Sequence, residues 1–287
     1  MLAWSAVGVI LVGVVGLVTY ALTHASTPAT VTQTARTSPA VLATLSSVPA
    51  GTFDQVGVTV PGVELTPPRV ESGQPPLTAG GRPEVLVVGA EYCPFCAAER
   101  WPLVVALARF GRFTVLHDAT SATQSVYPDT ATFSFAGVRY ASPYVTLTGV
   151  ELYSDQVGAD GTFIRIASLT PAQAALVARY AGTTTGTAPF VDVGGRLVTT
   201  TAAFSPALLA GQSQSQIAGL VAAPPTGPTP AGATAAPPTG QAVVAAANQL
   251  TAGICASTDQ RPAAVCDSKG VRAADQSLGL PTPPPAA

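Results

Sequence analysis

The sequence predicts an α/β domain with a β-rich insertion, and three observations carry that expectation. Val85-Leu86-Val87-Val88 is a continuous aliphatic run of the kind that fills a strand covered on both faces. Ala97 to Phe110 places Leu103, Leu107 and Phe110 at helical spacing, with Val104 beside them. Residues 119–170 then change to aromatic and β-branched pairs separated by turn residues, such as Phe133-Ser134-Phe135, Val138-Arg139-Tyr140 and Val150-Glu151-Leu152-Tyr153.

The chain opens on an apolar run, Leu2 to Leu22, without a charged side chain. At about 1.5 Å per helical residue it covers the roughly 30 Å hydrocarbon core of a bilayer, so residues 1–24 are expected to be a transmembrane anchor. The alternative is a cleaved signal peptide, for which Thr23-His24-Ala25 offers small residues at a cleavage site. No Lys or Arg precedes the run and the first arginine is Arg36, so flanking charge does not orient it. Four cysteines in two close pairs suit an oxidising compartment, which places the main domain outside the cytoplasmic membrane: single-pass if anchored, secreted if cleaved.

Residues 25–47, rich in Thr, Ser, Ala and Pro, read as a tether in which Pro39 to Ser47 forms a short apolar helix. Residues 48–222 are the expected globular domain. Within it, Phe53-Asp54-Gln55-Val56-Gly57 reads as a turn and Val58-Thr59-Val60 as a short strand, followed by a Pro/Gly-rich loop to Arg82. Glu84 to Ala90 is the buried central strand. The helix after it is expected to kink at Pro102 and to end at Gly111, with Phe113 to His117 as the next strand. Thr170-Pro171-Ala172-Gln173 is a capping box with proline at the first helical position, for a helix to Tyr180 that Gly182 stops. Gly194-Gly195 between two apolar runs predicts a two-residue hairpin. Ser205-Pro206 caps a helix to about Ala222, residues 223–240 are a linker, 241–279 a helical segment with Val243 to Ala256 as its main helix, and 280–287 a Pro-rich disordered tail.

The chemistry is concentrated in Cys93-Pro94-Phe95-Cys96, at the junction of the aliphatic strand and its helix. Cys-x-x-Cys in that setting is the arrangement a thiol-disulfide centre requires. The unpaired N–H groups and dipole of a helix's first turn favour a thiolate at Cys93, so its pKa should lie below about 8.5. Cys96, one turn on, faces the same side and can resolve a mixed disulfide. Pro94 fits a first-turn position that needs no N–H donor. Phe95 brings no imidazole to the site, which places the expected pKa above the ~3.5 of the strongest oxidases. Glu99 reads either as a group that moves a proton or as a solvated helix-face charge, and Trp101 as core.

The strand, the Cys-x-x-Cys helix, a second strand, a later helix, and Ala188-Pro189 leading into a hairpin and closing helix resemble the thioredoxin fold. That resemblance implies a cis peptide at Pro189, beside the cysteine pair where substrate backbone binds. The stretch from Val88 to Trp101, with Val48-Pro49, Phe53 to Gly57, Tyr127-Pro128-Asp129-Thr130, Phe133 and Glu151-Leu152-Tyr153, is also similar to a narrower group. These are the thioredoxin-like membrane proteins of domain-of-unknown-function family 929, found in actinobacteria and some archaea. The similarity runs from about Val48 to Cys266 and implies a fold and a redox site, with no settled activity. The long stretch between Cys96 and Pro189 departs from ordinary thioredoxins, and an insertion there can cover the groove.

With 13 basic and 15 acidic side chains, net charge −2 and one lysine, Lys269, there is no field to hold a polyanion, so nucleic acid is not an expected partner. No cofactor is expected. For zinc, Cys255, Cys266 and His117 are the other donors, and they are poorly spaced for a tetrahedral set. Cys255 and Cys266 read as a structural disulfide, with a relay pair as the sharper alternative. The expected activity is that of a membrane-anchored protein-disulfide oxidoreductase acting on cysteine-containing exported proteins or a membrane redox partner. The alternative is a non-catalytic binding or assembly module in which both disulfides are structural, which burial of Cys93 would favour.

Overall fold

The computed structural model describes residues 34–182, 188–225 and 238–280. The expected anchor, residues 25–33 of the tether, most of the linker, and the tail after Leu280 lie outside these residues. Among the described residues no helix is long and apolar enough to cross a membrane.

Helix α1 (Pro39–Ser46) starts where the Ser38 hydroxyl accepts the Ala40 N–H, with proline in its first turn. Phe53 to Gly57, expected as a turn, instead falls in and at the end of helix α2 (Ala50–Val56). Its support is non-local: Asn248 Nδ2 donates to the carbonyls of Phe53 and Gly57, and the Gly270 N–H donates to Asp54 Oδ1. The expected strand at 58–60 is reduced to an isolated bridge between Val60 and Val63. Short strands β1 (Arg69–Val70) and β2 (Thr78–Ala79) precede β3 (Arg82–Gly89), in which Val85 to Gly89 are buried. Helix α3 (Pro94–Ala108) follows and runs through Pro102.

The chain then forms a long hairpin, β4 (Arg112–Thr120) against β5 (Ala131–Ala141), which is a sheet of its own. The strand that pairs parallel with β3 is therefore not 113–117 but β6 (Thr146–Glu151), in register from Glu84 opposite Thr146 to Gly89 opposite Glu151. A second small hairpin, β7 (Tyr153–Val157) and β8 (Phe163–Arg165), leads to α4 (Pro171–Ala181). The expected capping box of α4 is present, with Thr170 and Gln173 bonded reciprocally, and Gly182 closes the helix in the left-handed conformation.

Strands β9 (Phe190–Val193) and β10 (Leu197–Thr199) pair antiparallel around a three-residue loop, Gly194-Gly195-Arg196, one longer than expected. Both glycines sit at positive φ, 60° and 72°, where a side chain would be strained. The helix expected over 205–222 is two pieces: a 3-10 turn, Pro206–Leu209, and α5 (Gln214–Ala222), which starts at its own capping box on Ser213 and Gln216. Beyond the second gap come α6 (Thr239–Ser257), α7 (Ala263–Cys266) and α8 (Lys269–Leu278).

The main sheet has the order β6, β3, β9, β10, β1, with β2 pairing the start of β3. The run Val85 to Val88 divides by alternation across it. Val85 and Val87 join the cluster built with α3 and α6, while Leu86 and Val88 join Phe190, Val198 and Val177 of α4 on the opposite face. Helix α6 is almost wholly buried, and its Val243, Val244, Leu250 and Ile254 pack in the larger cluster, so it belongs to the same core as the sheet. Burying aliphatic side chains of this size contributes about 1.5–3 kcal/mol each.

Candidate functional site

Cys93 caps α3. Its sulfur accepts the Cys96 backbone N–H at 3.3 Å, and Pro94 occupies the first turn. Helix spacing carries Cys96 and then Arg100 along one face, toward the end of β3. Gly89 makes the approach of Cys96 possible: a Cβ there would stand 3.1 Å from the Cys96 sulfur and 3.5 Å from Glu151 Oε2. The sulfur and that carboxylate therefore share the space beside Gly89.

Glu151 reaches the site because β6 sets it opposite Gly89. Arg100 meets it with two bonds, Nε to Oε1 at 3.0 Å and Nη2 to Oε2 at 2.6 Å, and gives a further bond from Nη2 to the Ala90 carbonyl at 2.8 Å. Glu151 Oε1 also accepts the Phe135 N–H. Both side chains are almost fully buried, so this is an ion pair without solvent screening. Burial opposes the Arg100 charge, and Glu151 with the two cysteine sulfurs more than offsets it, so the guanidinium pKa is raised.

The two thiols are driven apart. Hydrogen bonding from the Cys96 thiol lowers the pKa of Cys93 most; burial opposes, and the Cys96 and Phe95 N–H groups with the Arg100 charge assist, bringing it to about 7. Burial, and then the neighbouring Cys93 sulfur, push Cys96 well above the usual thiol range. A split of this kind favours a thiolate at Cys93 and a protonated thiol at Cys96.

Cys93 and Cys96 are 1 % and 2 % exposed, packed with Ala90 under Tyr92 and Tyr153. Phe163 of β8 stacks on Tyr92 with ring centres 4.1 Å apart and planes 9° from parallel. Burial, then the two cysteines, raise the Tyr92 phenol to about 12. Phe95 points outward, 36 % exposed, with the Tyr127 ring edge-on at 6.0 Å.

Glu91, beside the cysteines in sequence, is buried with its carboxylate accepting from the Ser134 hydroxyl, and its pKa is raised chiefly by burial. Glu99 is neither solvated nor turned to the thiols. It is buried, and its Oε2 accepts the Ala203 N–H at 2.8 Å, which places it on the side of α3 that meets the loop after β10. Burial raises its pKa to about 8. Trp101 is core, edge-on to Phe133 and donating from Nε1 to the Ala131 carbonyl. Pro189 precedes β9 and is buried; the register Val88 opposite Phe190 sets it across from Gly89, at the cysteine end of the sheet. Its peptide bond is trans, contrary to the expectation, and among the described residues the cis bond is Arg261–Pro262.

Cys255 and Cys266 form a disulfide, S–S 2.01 Å, joining the last turn of α6 to α7. Among the described residues no group of three or more His, Cys, Asp or Glu side chains is placed to hold a metal ion. Arg100 lies four residues after Cys96, and that helical spacing is the sequence signal for its facing. Glu151, Tyr153 and Phe163 join through strand pairing and hairpin folding, which leave no local signal. No curated protein and no solved structure matches the chain. A family model described as a domain of unknown function matches residues 69–256, from β1 into the last turn of α6. That span takes in the cysteine helix, all the strands and Glu151, and the chain belongs to the domain-of-unknown-function 929 family.

Proposed function

We propose that this protein is a thiol-disulfide oxidoreductase with a thioredoxin-like fold, in which Cys93 attacks and Cys96 resolves. The carrying observation is the opposed shift of the two thiols at the start of α3, Cys93 down and Cys96 up. The fold reading is supported by the order β3, α3, β6, α4, β9, β10, α6, with β6 parallel and β9 antiparallel to β3. In that reading the closing helix is α6, and the hairpins β4–β5 and β7–β8 are insertions on either side of β6.

In the forward direction the Cys93 thiolate attacks one sulfur of a partner's disulfide, forming a mixed disulfide and releasing the partner's other sulfur as thiolate. Cys96 then attacks the Cys93 sulfur, closing the Cys93–Cys96 disulfide and releasing the partner's second sulfur, while the Cys96 proton passes to a departing thiolate. Two electrons move from the dithiol to the partner, and the reverse sequence oxidises a partner dithiol. Partners of this chemistry are cysteine-containing exported proteins or a membrane redox protein, met by a domain tethered outside the membrane through residues 1–24.

Replacement of Cys96 by Ser tests the assignment of roles. Incubated with oxidised glutathione or a disulfide-bonded peptide, the variant accumulates an adduct at Cys93 that the native chain resolves; no adduct at Cys93 in either protein removes the proposal. A second reading, a binding module that keeps the fold without turnover, is favoured by one observation, the 1 % exposure of Cys93.

A further inference from the structure

We propose that the β7–β8 hairpin is a lid over the dithiol, latched by the stack of Phe163 on Tyr92, and that Cys93 meets a partner when this latch opens. The inference rests on the reading of Cys93 as the attacking thiol and adds how that thiol is reached.

Three observations support it. First, the cover over the sulfurs is aromatic and local: Tyr92 and Tyr153 pack on the cysteine cluster, their rings 6.1 Å apart, and Phe163 lies flat on Tyr92. Second, the hairpin is a two-stranded sheet of its own, outside the ladder of the main sheet. Two strands alone are marginally stable in water, so their seating on the domain depends on side chains such as Phe163. Third, its two ends are pinned at one place. The Glu91 N–H donates to the Tyr153 carbonyl at 2.9 Å, and the Ile166 and Ala167 N–H groups both donate to the Leu152 carbonyl. Those bonds form a root about which the strands can swing while β6 and α4 stay in the core. Arg165 steadies the root, its Nη2 donating to the Tyr153 hydroxyl at 2.6 Å.

A cover built this way separates two properties that an exposed site joins. The groups that lower the Cys93 pKa are Cys96, the N–H groups of the first turn of α3 and Arg100, which the hairpin does not supply; access comes from the latch. Loss of the Phe163 ring therefore speeds access while leaving in place the groups that lower the Cys93 pKa.

The test is the rate at which iodoacetamide alkylates Cys93 in the reduced full-length chain, followed by mass, together with the pH profile of that rate. Phe163→Ala should raise the rate about tenfold, the scale of one stacked aromatic contact, with the midpoint of the profile not raised; Phe163→Tyr should restore the native rate. An unchanged rate in Phe163→Ala overturns the lid, as does a rise matched by equal exposure of Leu107 and the rest of α3 to hydrogen exchange. On the native chain, amides of the hairpin at Gly158 and Thr162 should exchange at least about tenfold faster than those of β3 at Val87 and Val88; equal exchange also overturns it. A dithiol that never exchanges with disulfides, in a chain where Phe163→Ala still accelerates alkylation, would retire the redox reading and leave the lid standing.

Discussion

The two cysteine pairs of this chain are both buried, yet their surroundings differ in kind. Cys255 and Cys266 join the end of α6 to α7 as a disulfide, packed in the larger apolar cluster. Cys93 and Cys96 sit at a helix start beside the Arg100–Glu151 ion pair, with the Tyr92 and Tyr153 rings packed on them and Phe163 stacked on Tyr92. Burial alone raises a thiol's pKa and makes it inert. At Cys93 the hydrogen bonds and the Arg100 charge outweigh that effect, and at Cys96 they do not. The difference teaches that burial at this site does not by itself mark a structural pair: what counts is which groups are buried with the sulfur.

The contrast breaks most severely at Glu151. Replacing it by Gln leaves Arg100 buried without its counter-charge, and loss of one partner of such a pair costs about 3–5 kcal/mol. With the guanidinium no longer neutralised, the Cys93 pKa should fall further and the pair become more oxidising, while the Cys255–Cys266 bond is untouched. Chemical denaturation and thiolate absorbance as a function of pH read the two effects separately. The opposite probe is Cys255→Ser with Cys266→Ser. Opening a loop this short should cost roughly 2–3 kcal/mol of stability and leave the potential of Cys93/Cys96 unchanged; a shifted potential would mean that the two pairs exchange electrons.

A pH-dependent effect separates Glu99 from the redox site. Its pKa rises from 4.5 in the unfolded chain to about 8 in the fold, so between those values the native state holds a proton that the unfolded state lacks. Stability from this group is complete below pH 4.5 and is lost as pH rises through 8, with a slope of at most about 1.4 kcal/mol per pH unit. Glu99→Gln should flatten that decline in thermal melts across the window. Glu91 and Asp192, also raised by burial, leave a residual slope of the same sign. Disulfide exchange should proceed at the native rate, because the carboxylate faces Ala203 and not the sulfurs.

The legible parts of this fold are those whose cause is local. The aliphatic run of β3, the Cys-x-x-Cys start of α3, the capping box of α4 and the glycine pair between β9 and β10 each carry their structure in a few adjacent residues. What was not legible depends on partners far away in the chain. Thr146 to Glu151 has no feature that selects it over Phe113 to His117 as the neighbour of β3. Residues 50–56 become helical where Asn248 and Gly270 hold them. Glu99 resembled a surface charge because the N–H that receives it lies in a loop a hundred residues on. The site divides in the same way: the cysteines, Tyr92 and Arg100 are close in the sequence, whereas the carboxylate that pairs with Arg100 and the rings of Tyr153 and Phe163 are brought in by strand pairing and hairpin folding.

The most direct test of the redox assignment is the reduction potential of Cys93/Cys96 in the full-length chain with Cys255 and Cys266 intact, measured by equilibration in thiol-disulfide buffers with mass readout. The oxidoreductase reading predicts reversible exchange with a potential between about −270 and −120 mV, the range of known catalysts. A value below about −300 mV, or no exchange after the lid has been opened by Phe163→Ala, would contradict it and make the pair structural.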